Sequence, residues 1–393
     1  MTHRQECLCS VTTREIFVMR FFHKKNASSP HSIFNIGFLC ILVNFAFSSV
    51  ILIVMLLALK THVISINHTL SITFRLGAIM EYLGLIFLFL IALDALHAFF
   101  LWLRRRRWER TVTRDADGVL ANAAPYTLEG ACPHAPRRTG TSALQSDTAI
   151  LFIHGFADTP ETWQLLVPRI HELTRATCRV MRLPYISTPL RLQHRATLDH
   201  WLDAIRDEVA RLRVCHKKVF VAGHSLGGGL ALLATRESYG ALGERALPDG
   251  LILLAPLIRT PRKFGAPLDI PFWFADHLCV FTRVWPNPFP VVSKSADGRV
   301  YVRNHDRFIA FEIFRAMFKM TRRLVAHGAA DEDVRPPILA FASMRDKVID
   351  APFTLRWLDG ARIITTEEAG HLLQFDVGWE QRAEEIAAFI SRA

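Results

Sequence analysis

The chain has 393 residues, 51% of them hydrophobic, and a formal net charge of +11 at pH 7. Residues 1–110 hold 12 Lys and Arg against 5 Asp and Glu, so most of the excess positive charge lies there. No nucleic-acid-binding module accompanies this charge, and seven widely spaced cysteines without a CxxC pair argue against a disulfide framework or a zinc site. We therefore expect free thiols in a reducing compartment, no metal and no nucleic-acid partner.

Two apolar stretches near the N terminus predict transmembrane helices. The first, about residues 37–59, contains no charged residue, and it exceeds the ~20 residues that cross a bilayer. The second, about 82–103, contains Asp94, and a charge at mid-helix costs about 2.5 to 3.5 kcal/mol on insertion. We interpret Asp94 and His97 as polar residues tolerated at a helix interface, with a proton relay as the alternative.

Basic residues follow the second stretch at Arg104–Arg107 and Arg110, and others precede the first stretch. By the positive-inside rule, both termini face the cytoplasm. This places the bulk of the chain on the cytoplasmic side of an inner (cytoplasmic) membrane. A translation start at Met80 is an alternative that leaves only the second stretch, and intact-mass analysis distinguishes the two.

Beyond residue 110, strand-like runs alternate with helix-like ones. Residues 111–147 are expected to form a linker or an irregular, weakly β entry. The predicted strands are Ala149–Gly155, Cys178–Tyr185, Lys218–Gly223, Gly250–Pro256, Ile338–Ser343 and Arg362–Glu367, and the predicted helices include Glu161–Ala176, Thr197–Arg213 and Trp379–Ser391. This alternation implies βαβ units and a parallel sheet within an α/β domain at 148–393, after a membrane region at 1–110.

The pentapeptide GHSLG, Gly223–Gly227, joins a predicted strand to a predicted helix. A strand that turns abruptly into a helix forces its apex residue into an unfavourable backbone conformation, and flanking glycines relieve the crowding. This pattern predicts a nucleophile elbow that presents Ser225 at a helix N terminus. There the backbone N–H of Leu226 points to the place where negative charge develops during acyl transfer.

A serine nucleophile needs a base oriented by a carboxylate, and in this fold the acid and then the base follow the serine. Asp346 comes directly after one downstream strand, and His371 lies in the loop after the last one. We therefore predict Ser225, Asp346 and His371 as a catalytic triad. Taken singly, Asp346 is equally explained as a turn residue and His371 as an N-cap; Asp350 is a reserve acid and His327 a weaker reserve base.

The second oxyanion donor should come from the loop after the strand that ends at His154 and Gly155. We predict the backbone N–H of Phe156, acting with that of Leu226. His154 is interpreted as a residue that organises the loop, and His224 as a variable position of the elbow.

Four segments together resemble the α/β-hydrolase superfamily, in its monoglyceride-lipase, lysophospholipase and bacterial carboxylesterase branch. They are HGFADTPETW (154–163), GHSLGG (223–228), SMRDKV (343–348) and AGHLLQFD (369–376). The resemblance covers about residues 145–393. It implies an α/β-hydrolase fold, a mostly parallel sheet flanked by helices with a helical cap, that hydrolyses carboxylic esters through an acyl-enzyme without a metal or cofactor. A glycine motif of the family is absent between Tyr185 and Arg195.

An insertion at about residues 257–335 is too long for a simple crossover, and the resemblance implies a cap. Tyr301–His327 is expected to be one long helix. Aromatic residues cluster before it, and we predict five of them to bind substrate in an acyl pocket or to form a surface that dips into lipid. They are Phe272, Trp273, Phe274, Phe281 and Trp285. Ordinary packing of the cap onto the core explains the same residues.

The resulting hypothesis is a membrane-anchored serine hydrolase that cleaves esters of lipid-like or acyl substrates, such as monoacylglycerols, lysophospholipids or short acyl esters. Its expected partners are the acyl ester and, through the N-terminal helices, membrane lipid. Acyl transfer or peptide hydrolysis on the same triad is one alternative. A catalytically silent hydrolase fold that acts as a membrane scaffold is another.

Overall fold

The computed structural model describes residues 69–129, 146–242, 247–263, 266–289, 293–303, 305–328 and 336–392. The predicted transmembrane helix at 37–59 lies outside these ranges. The chain divides into two units, Met1–Met80 and Glu81–Ala393. In the first unit, described residues 69–80 are helical, and the second contains the β-sheet.

In chain order the described strands are β1 (Tyr126–Leu128), β2 (Thr148–Ile153), β3 (Thr177–Met181), β4 (Lys218–His224), β5 (Gly250–Leu254), β6 (Arg262–Lys263), β7 (Ala266–Pro267), β8 (Val284–Pro286), β9 (Phe308–Ala310), β10 (Ile338–Ser343) and β11 (Arg362–Thr366). Seven of them form one sheet in the order β1-β3-β2-β4-β5-β10-β11. Among these seven, only β1 is antiparallel to its neighbour, and the other neighbouring pairs are parallel.

The central strands are buried on both faces, as their continuous apolar runs predict. Every residue of β5 and β10 is buried, and β4 is exposed only at Lys218. The edge strands β1 and β11 are only partly buried. The parallel strands all end at one edge of the sheet, so the loops after β2, β4, β10 and β11 meet there.

Helices cover the sheet and connect its strands. They are α1 (Thr69–Glu109), α2 (Leu166–Thr174), α3 (Leu190–Gln193), α4 (Leu198–Cys215), α5 (Leu226–Leu242), α6 (Asp269–Leu278), α7 (Phe311–His327), α8 (Ala351–Trp357) and α9 (Trp379–Arg392), with short 3₁₀ turns at Ala121–Ala123, Pro160–Trp163 and Asp297–Arg303. The mostly parallel sheet with flanking helices confirms the predicted fold class.

Several boundaries follow from local chemistry. Helix α4 begins after Thr197, whose hydroxyl accepts a hydrogen bond from the His200 N–H, as an N-cap residue does. The predicted helix at 161–176 is instead a 3₁₀ turn at Pro160–Trp163 followed by α2. Strand β1 lies in the segment that the sequence predicts to be irregular or weakly β, and it pairs with β3.

The cap lies between β5 and β10, where α6 packs against α7 through a cluster of aromatic rings. The expected long helix at 301–327 is wrong in its first third, because α7 begins only at Phe311. Residues 308–310 form β9 instead, which pairs with β8. The sequence near 301 is compatible with a helix, and the pairing with a strand about 24 residues upstream overrides that preference.

Helix α1 is the long apolar helix that precedes the sheet. Among the described residues, its segment Met80–Glu109 is long and apolar enough to cross a membrane, and it contains an 18-residue window with a mean hydropathy of 2.3. Toward its C-terminal end, Leu101 and Trp108 are buried and pack with Phe308 of the cap. The predicted second transmembrane helix at 82–103 therefore lies within one continuous helix that contacts the cap.

Candidate active site

Ser225 occupies the turn between β4 and α5. Its φ is +51°, in the left-handed region that L-residues rarely adopt. A Cβ atom on Gly223 would lie 2.4 Å from the carbonyl oxygen of Gly227, and one on Gly227 would lie 2.4 Å from that of Ile153. Only glycine at both positions therefore lets β2, β4 and α5 approach so closely around a strained serine. This is the geometry of a nucleophile elbow.

This crowding makes Gly227→Ala a test of the elbow. The added methyl group would displace β2 or α5, so we expect a loss of about 2 to 4 kcal/mol in the free energy of unfolding. Denaturant unfolding of the detergent-solubilised protein measures it. Gly370→Ala is the matched control, because its Cβ would meet its nearest neighbour at an ordinary 3.5 Å. Equal stability of the two variants would contradict the crowding at the elbow.

Asp346 and His371 form a short hydrogen bond at the same edge of the sheet. Nδ1 of His371 donates to Oδ2 of Asp346 at 2.6 Å. The Asp346 side chain is fully buried, and that of His371 is 10% exposed. Because the loops after β10 and β11 leave neighbouring parallel strands, two residues 25 positions apart meet here. The bond fixes the His371 tautomer that leaves Nε2 free to accept a proton.

The second oxygen of Asp346 accepts the backbone N–H groups of Val348 and Ile349 at 2.7 and 3.1 Å. Burial by itself raises the pKa of Asp346, but the positive charge of His371 and these hydrogen bonds outweigh it and lower the pKa. Asp346 is therefore held as a carboxylate that can stabilise an imidazolium.

Asp376 supports the loop that carries His371. One of its oxygens accepts the N–H of Gly370 at 2.8 Å, and the other accepts the N–H groups of Lys294 and Ser295 at 2.8 and 3.1 Å. A single carboxylate thus joins this loop to a segment of the cap. The motif AGHLLQFD contains Asp376, but its spacing does not reveal the contact with residues 294 and 295.

A narrow cavity opens beside Ser225. Its empty volume is about 450 Å³, including open solvent at its mouth. Ser225 and His371 both line it, with the loop residues Gly155 and Phe156 on one side. Its other walls are formed by Asp158, His224, Leu257, Asn287, Phe289, His305, Val348 and Leu372. The predicted nucleophile and base therefore share one mostly apolar cavity with a few polar groups, as ligand sites do.

None of the five predicted cap aromatics lines this cavity. Phe272 is buried and packs edge-on against Trp285 and Phe311, with its ring stacked on Phe314. Trp273 and Phe281 are more than half exposed, and Phe274 packs on Trp273. The aromatic wall of the cavity comes from Phe156 and Phe289 instead. Packing within the cap takes up the buried rings, and the role of the five residues in binding substrate stays a prediction.

Of the two predicted oxyanion donors, Phe156 lies on the loop after β2 and lines the cavity, and Leu226 begins α5 directly after Ser225. Within the described residues, neither the Phe156 N–H nor the Leu226 N–H donates to another protein group. The Phe156 ring packs on Phe289 and Phe314, which holds its loop against the cap. The role of the Phe156 and Leu226 N–H groups as oxyanion donors stays a prediction.

A buried network of polar groups lines the cavity, and the sequence pattern does not reveal it. Nδ1 of His305 lies 3.2 Å from Oδ1 of Asp158, and His224 lies 3.7 Å from its Oδ2. Burial raises the pKa of Asp158, but the two imidazoles outweigh it and hold that pKa well below its usual range. His224 also contacts the backbone oxygen of His371 through Nε2 at 3.0 Å. The elbow histidine therefore supports the predicted base, although its place in the pentapeptide alone does not indicate this.

His154 behaves as a structural residue. Its Nδ1 donates to the oxygen of Gly155 at 2.9 Å, and its Nε2 accepts the N–H of Leu183 at 3.0 Å. These two bonds require the neutral ring, and burial lowers the pKa of His154 to about 4. Within the described residues, no group of three or more His, Cys, Asp or Glu side chains is arranged to hold a metal ion.

The raised pKa of Asp306 predicts that the stability of the protein depends on pH. Asp306 is buried, and burial raises its pKa to about 7 although the Ser187 N–H, Arg114 and His305 oppose the shift and Glu109 adds to it. Because the folded pKa exceeds the unfolded one, the folded state binds the extra proton, and stability falls as pH rises between about 4 and 7. One pKa unit corresponds to about 1.4 kcal/mol, so we expect a loss of about 2 to 3 kcal/mol between pH 5 and 8.

Asp306→Asn removes this titration while keeping the side-chain shape. The variant should therefore lose less stability than the wild type between pH 5 and 8, as measured by denaturant unfolding at both values. Asp203→Asn is the control, since its carboxylate is largely exposed and pairs with Arg206 on the same helix. Parallel pH profiles for the Asp306 variant and the wild type would show that Asp306 is ionised throughout.

A family model that matches most of this domain identifies the family. A model of the alpha/beta hydrolase family matches residues 150–389, which include the elbow, Asp346 and His371. The chain belongs to the alpha/beta hydrolase family. A search of curated protein sequences finds no significant match. Helix α1, which contains the candidate membrane span, precedes the residues that the family model matches.

Solved structures of proteins described as lipolytic enzymes or lipases share the fold. Metagenome-derived lipolytic enzymes described as LipS and LipT align with a TM-score of 0.56 at 17% identity, over 70% of this chain and 100% of theirs. A soluble variant of the monoglyceride lipase of Saccharomyces cerevisiae gives 0.51 at 14%, over 65% and 89%. The monoacylglycerol lipase of Paleococcus ferrophilus gives 0.50 at 16%, over 61% and 93%. At these identities the likeness concerns the fold alone.

The reserve acid Asp350 and the reserve base His327 of this alpha/beta hydrolase lie away from the cavity. Asp350 caps α8 by accepting the Phe353 N–H at 3.1 Å, and its other oxygen pairs with Arg259. His327 is the last residue of α7. Neither lines the cavity beside Ser225.

Proposed function

We propose that this alpha/beta hydrolase is a membrane-attached serine hydrolase that cleaves carboxylic esters of lipid-like acyl groups. The observation that carries the proposal is the 2.6 Å bond between His371 and Asp346 at a cavity that Ser225 also lines. A serine on a strained elbow, an imidazole with an oriented carboxylate and two unpaired N–H groups are the parts that acyl transfer requires.

In this mechanism, Nε2 of His371 takes the proton of the Ser225 hydroxyl as its oxygen attacks the ester carbonyl. The N–H groups of Phe156 and Leu226 stabilise the oxyanion, and Asp346 stabilises the imidazolium. His371 then gives its proton to the leaving alkoxide, which departs as the alcohol and leaves an acyl group on Ser225. Water repeats the sequence, with His371 as its base, and releases the carboxylic acid.

Two features favour a lipid-like acyl group. The cavity wall includes the apolar side chains of Phe156, Leu257, Phe289 and Leu372, and α1 is apolar enough to cross a membrane. Two of the proteins with a similar fold are named as monoacylglycerol or monoglyceride lipases. By the positive-inside rule, the arginines at the end of α1 support a hydrolase domain on the cytoplasmic side of an inner membrane.

A fluorophosphonate probe tests the proposal, because it forms a covalent bond with an activated serine. We expect labelling of the folded full-length protein at Ser225, and hydrolysis of a series of p-nitrophenyl esters, monoacylglycerols and lysophospholipids. A folded protein that resists the probe would contradict the proposal and favour a catalytically silent scaffold. Products formed with added glycerol or amine would instead identify an acyltransferase, and release of peptide fragments would identify a peptidase.

A further inference from the structure

A carboxylate in the middle of α1 fastens a loop of the cap. Oδ2 of Asp94 accepts the backbone N–H groups of Val280 and Phe281, both at 2.7 Å, and Oδ1 accepts that of Thr282 at 3.3 Å. Nδ1 of His97, one turn further on, lies 3.2 Å from Oγ1 of Thr282. We call residues 279–283 the cap loop. It follows α6 and is attached to the helix by four polar contacts.

Apolar side chains are exposed on both sides of this attachment. On α1, the consecutive residues Leu85–Phe89 are all exposed, so that part of the helix is apolar and uncovered around its whole circumference. Beyond it, Leu101 is buried against the cap while Phe99 and Phe100 stay exposed. In the cap loop, Val280 is 57% and Phe281 is 53% exposed. The two elements therefore present exposed apolar groups next to each other.

The chemistry of this surface fits a lipid bilayer rather than a protein groove. A helix that is apolar on every side suits hydrocarbon, whereas a helix that docks on a protein has one apolar face. The helical segment Met80–Glu109 has the length and hydropathy of a membrane span.

We propose that the cap loop enters the same bilayer as α1 and that its hydrogen bonds to Asp94 hold it there. Irregular backbone is costly in lipid because its N–H groups lose their water partners. A carboxylate within an apolar helix is costly because it lacks donors. The three bonds to Asp94 remove both costs at once, which leaves Val280 and Phe281 free to point into lipid.

Neighbouring charges limit the depth of insertion. Arg283 and Arg315 both pair with Asp276, and the two arginine side chains are 45% and 43% exposed. These groups belong at the level of the headgroups. The cap loop therefore lies at the boundary between headgroups and acyl chains, where apolar side chains reach about 5 to 10 Å deep. The inference rests on the membrane attachment in the proposed function and is independent of catalysis.

The test uses the full chain in vesicles of phosphatidylcholine and phosphatidylglycerol that contain a phospholipid with a diazirine on its acyl chain. After irradiation and digestion, mass spectrometry locates the attached lipid. We expect labels on residues 85–89 of α1 and also on Val280 and Phe281. The matched control in the same sample is Val214, which is 77% exposed but lies at the end of α4, near the opposite edge of the sheet, and should stay unlabelled.

Asp94→Ala should release the loop and reduce its labelling at least about fivefold relative to α1, because the polar contacts are lost. Asp94→Asn keeps one acceptor oxygen and should give an intermediate value. Labelled α1 with an unlabelled cap loop would overturn the inference and leave membrane attachment intact. Absence of label from both would overturn membrane attachment as well. Equal loop labelling in the wild type and Asp94→Ala would show that Asp94 does not hold the cap loop in the bilayer.

Discussion

Replacing Ser225 with alanine should reduce kcat for ester hydrolysis by on the order of 10⁴ to 10⁶-fold, since the members of a triad act as a unit. The hydroxyl lies at the apex of the elbow, where no neighbouring side chain can replace it. Initial rates on a p-nitrophenyl ester measure the effect, and the same variant should lose all fluorophosphonate labelling.

The elbow itself should survive this substitution, because alanine adds no atom and the two flanking glycines remain. Ser391→Ala is a suitable control, since Ser391 is exposed at the end of α9 and its hydroxyl only contacts the helix backbone. It should keep both activity and labelling. Labelling that persists in Ser225→Ala would move the nucleophile to another residue.

Asp346→Asn should lower kcat by about 10³ to 10⁴-fold with little change in overall fold. The amide can keep the shape and one acceptor, but its nitrogen can face His371, which then adopts the tautomer that cannot take the serine proton. The loss of negative charge also removes the stabilisation of the imidazolium. Initial rates on a p-nitrophenyl ester measure the effect, and denaturant unfolding of the variant at the same pH separates it from a change in folding.

Asp350→Asn provides the matched comparison, because Asp350 is the other acid that follows β10. It caps α8 and pairs with Arg259, so its replacement should affect stability and leave kcat within a few-fold of the wild type. The reverse ranking, with Asp350→Asn inactive and Asp346→Asn active, would identify Asp350 as the acid of the triad.

Much of the sheet could be predicted because the central parallel strands are short, continuous apolar runs. The predicted β10 matches the structure residue for residue, and β4 differs only by the inclusion of His224. The cap was harder. Its residues 308–310 form a strand only because β8 lies beside them, and no periodicity in residues 301–327 reveals that partner.

The five cap aromatics illustrate the same limit. Composition places rings such as Phe272 and Trp285 in one segment, but a ring that packs in a core and a ring that lines a pocket look alike in sequence. The structure directs Phe272 into the cluster with Phe311 and Phe314, while Phe156 and Phe289 supply the aromatic wall beside Ser225.

The amino-acid sequence by itself determined the fold class and indicated Ser225, Asp346 and His371, because an elbow and the ends of parallel strands have local signals in a set order. Only the tertiary structure decided which side chains surround them. The Asp158, His224 and His305 network and the attachment of Asp94 to the cap loop join residues far apart in the chain. Their contacts depend on how loops and helices pack, and packing leaves no regular spacing in the sequence.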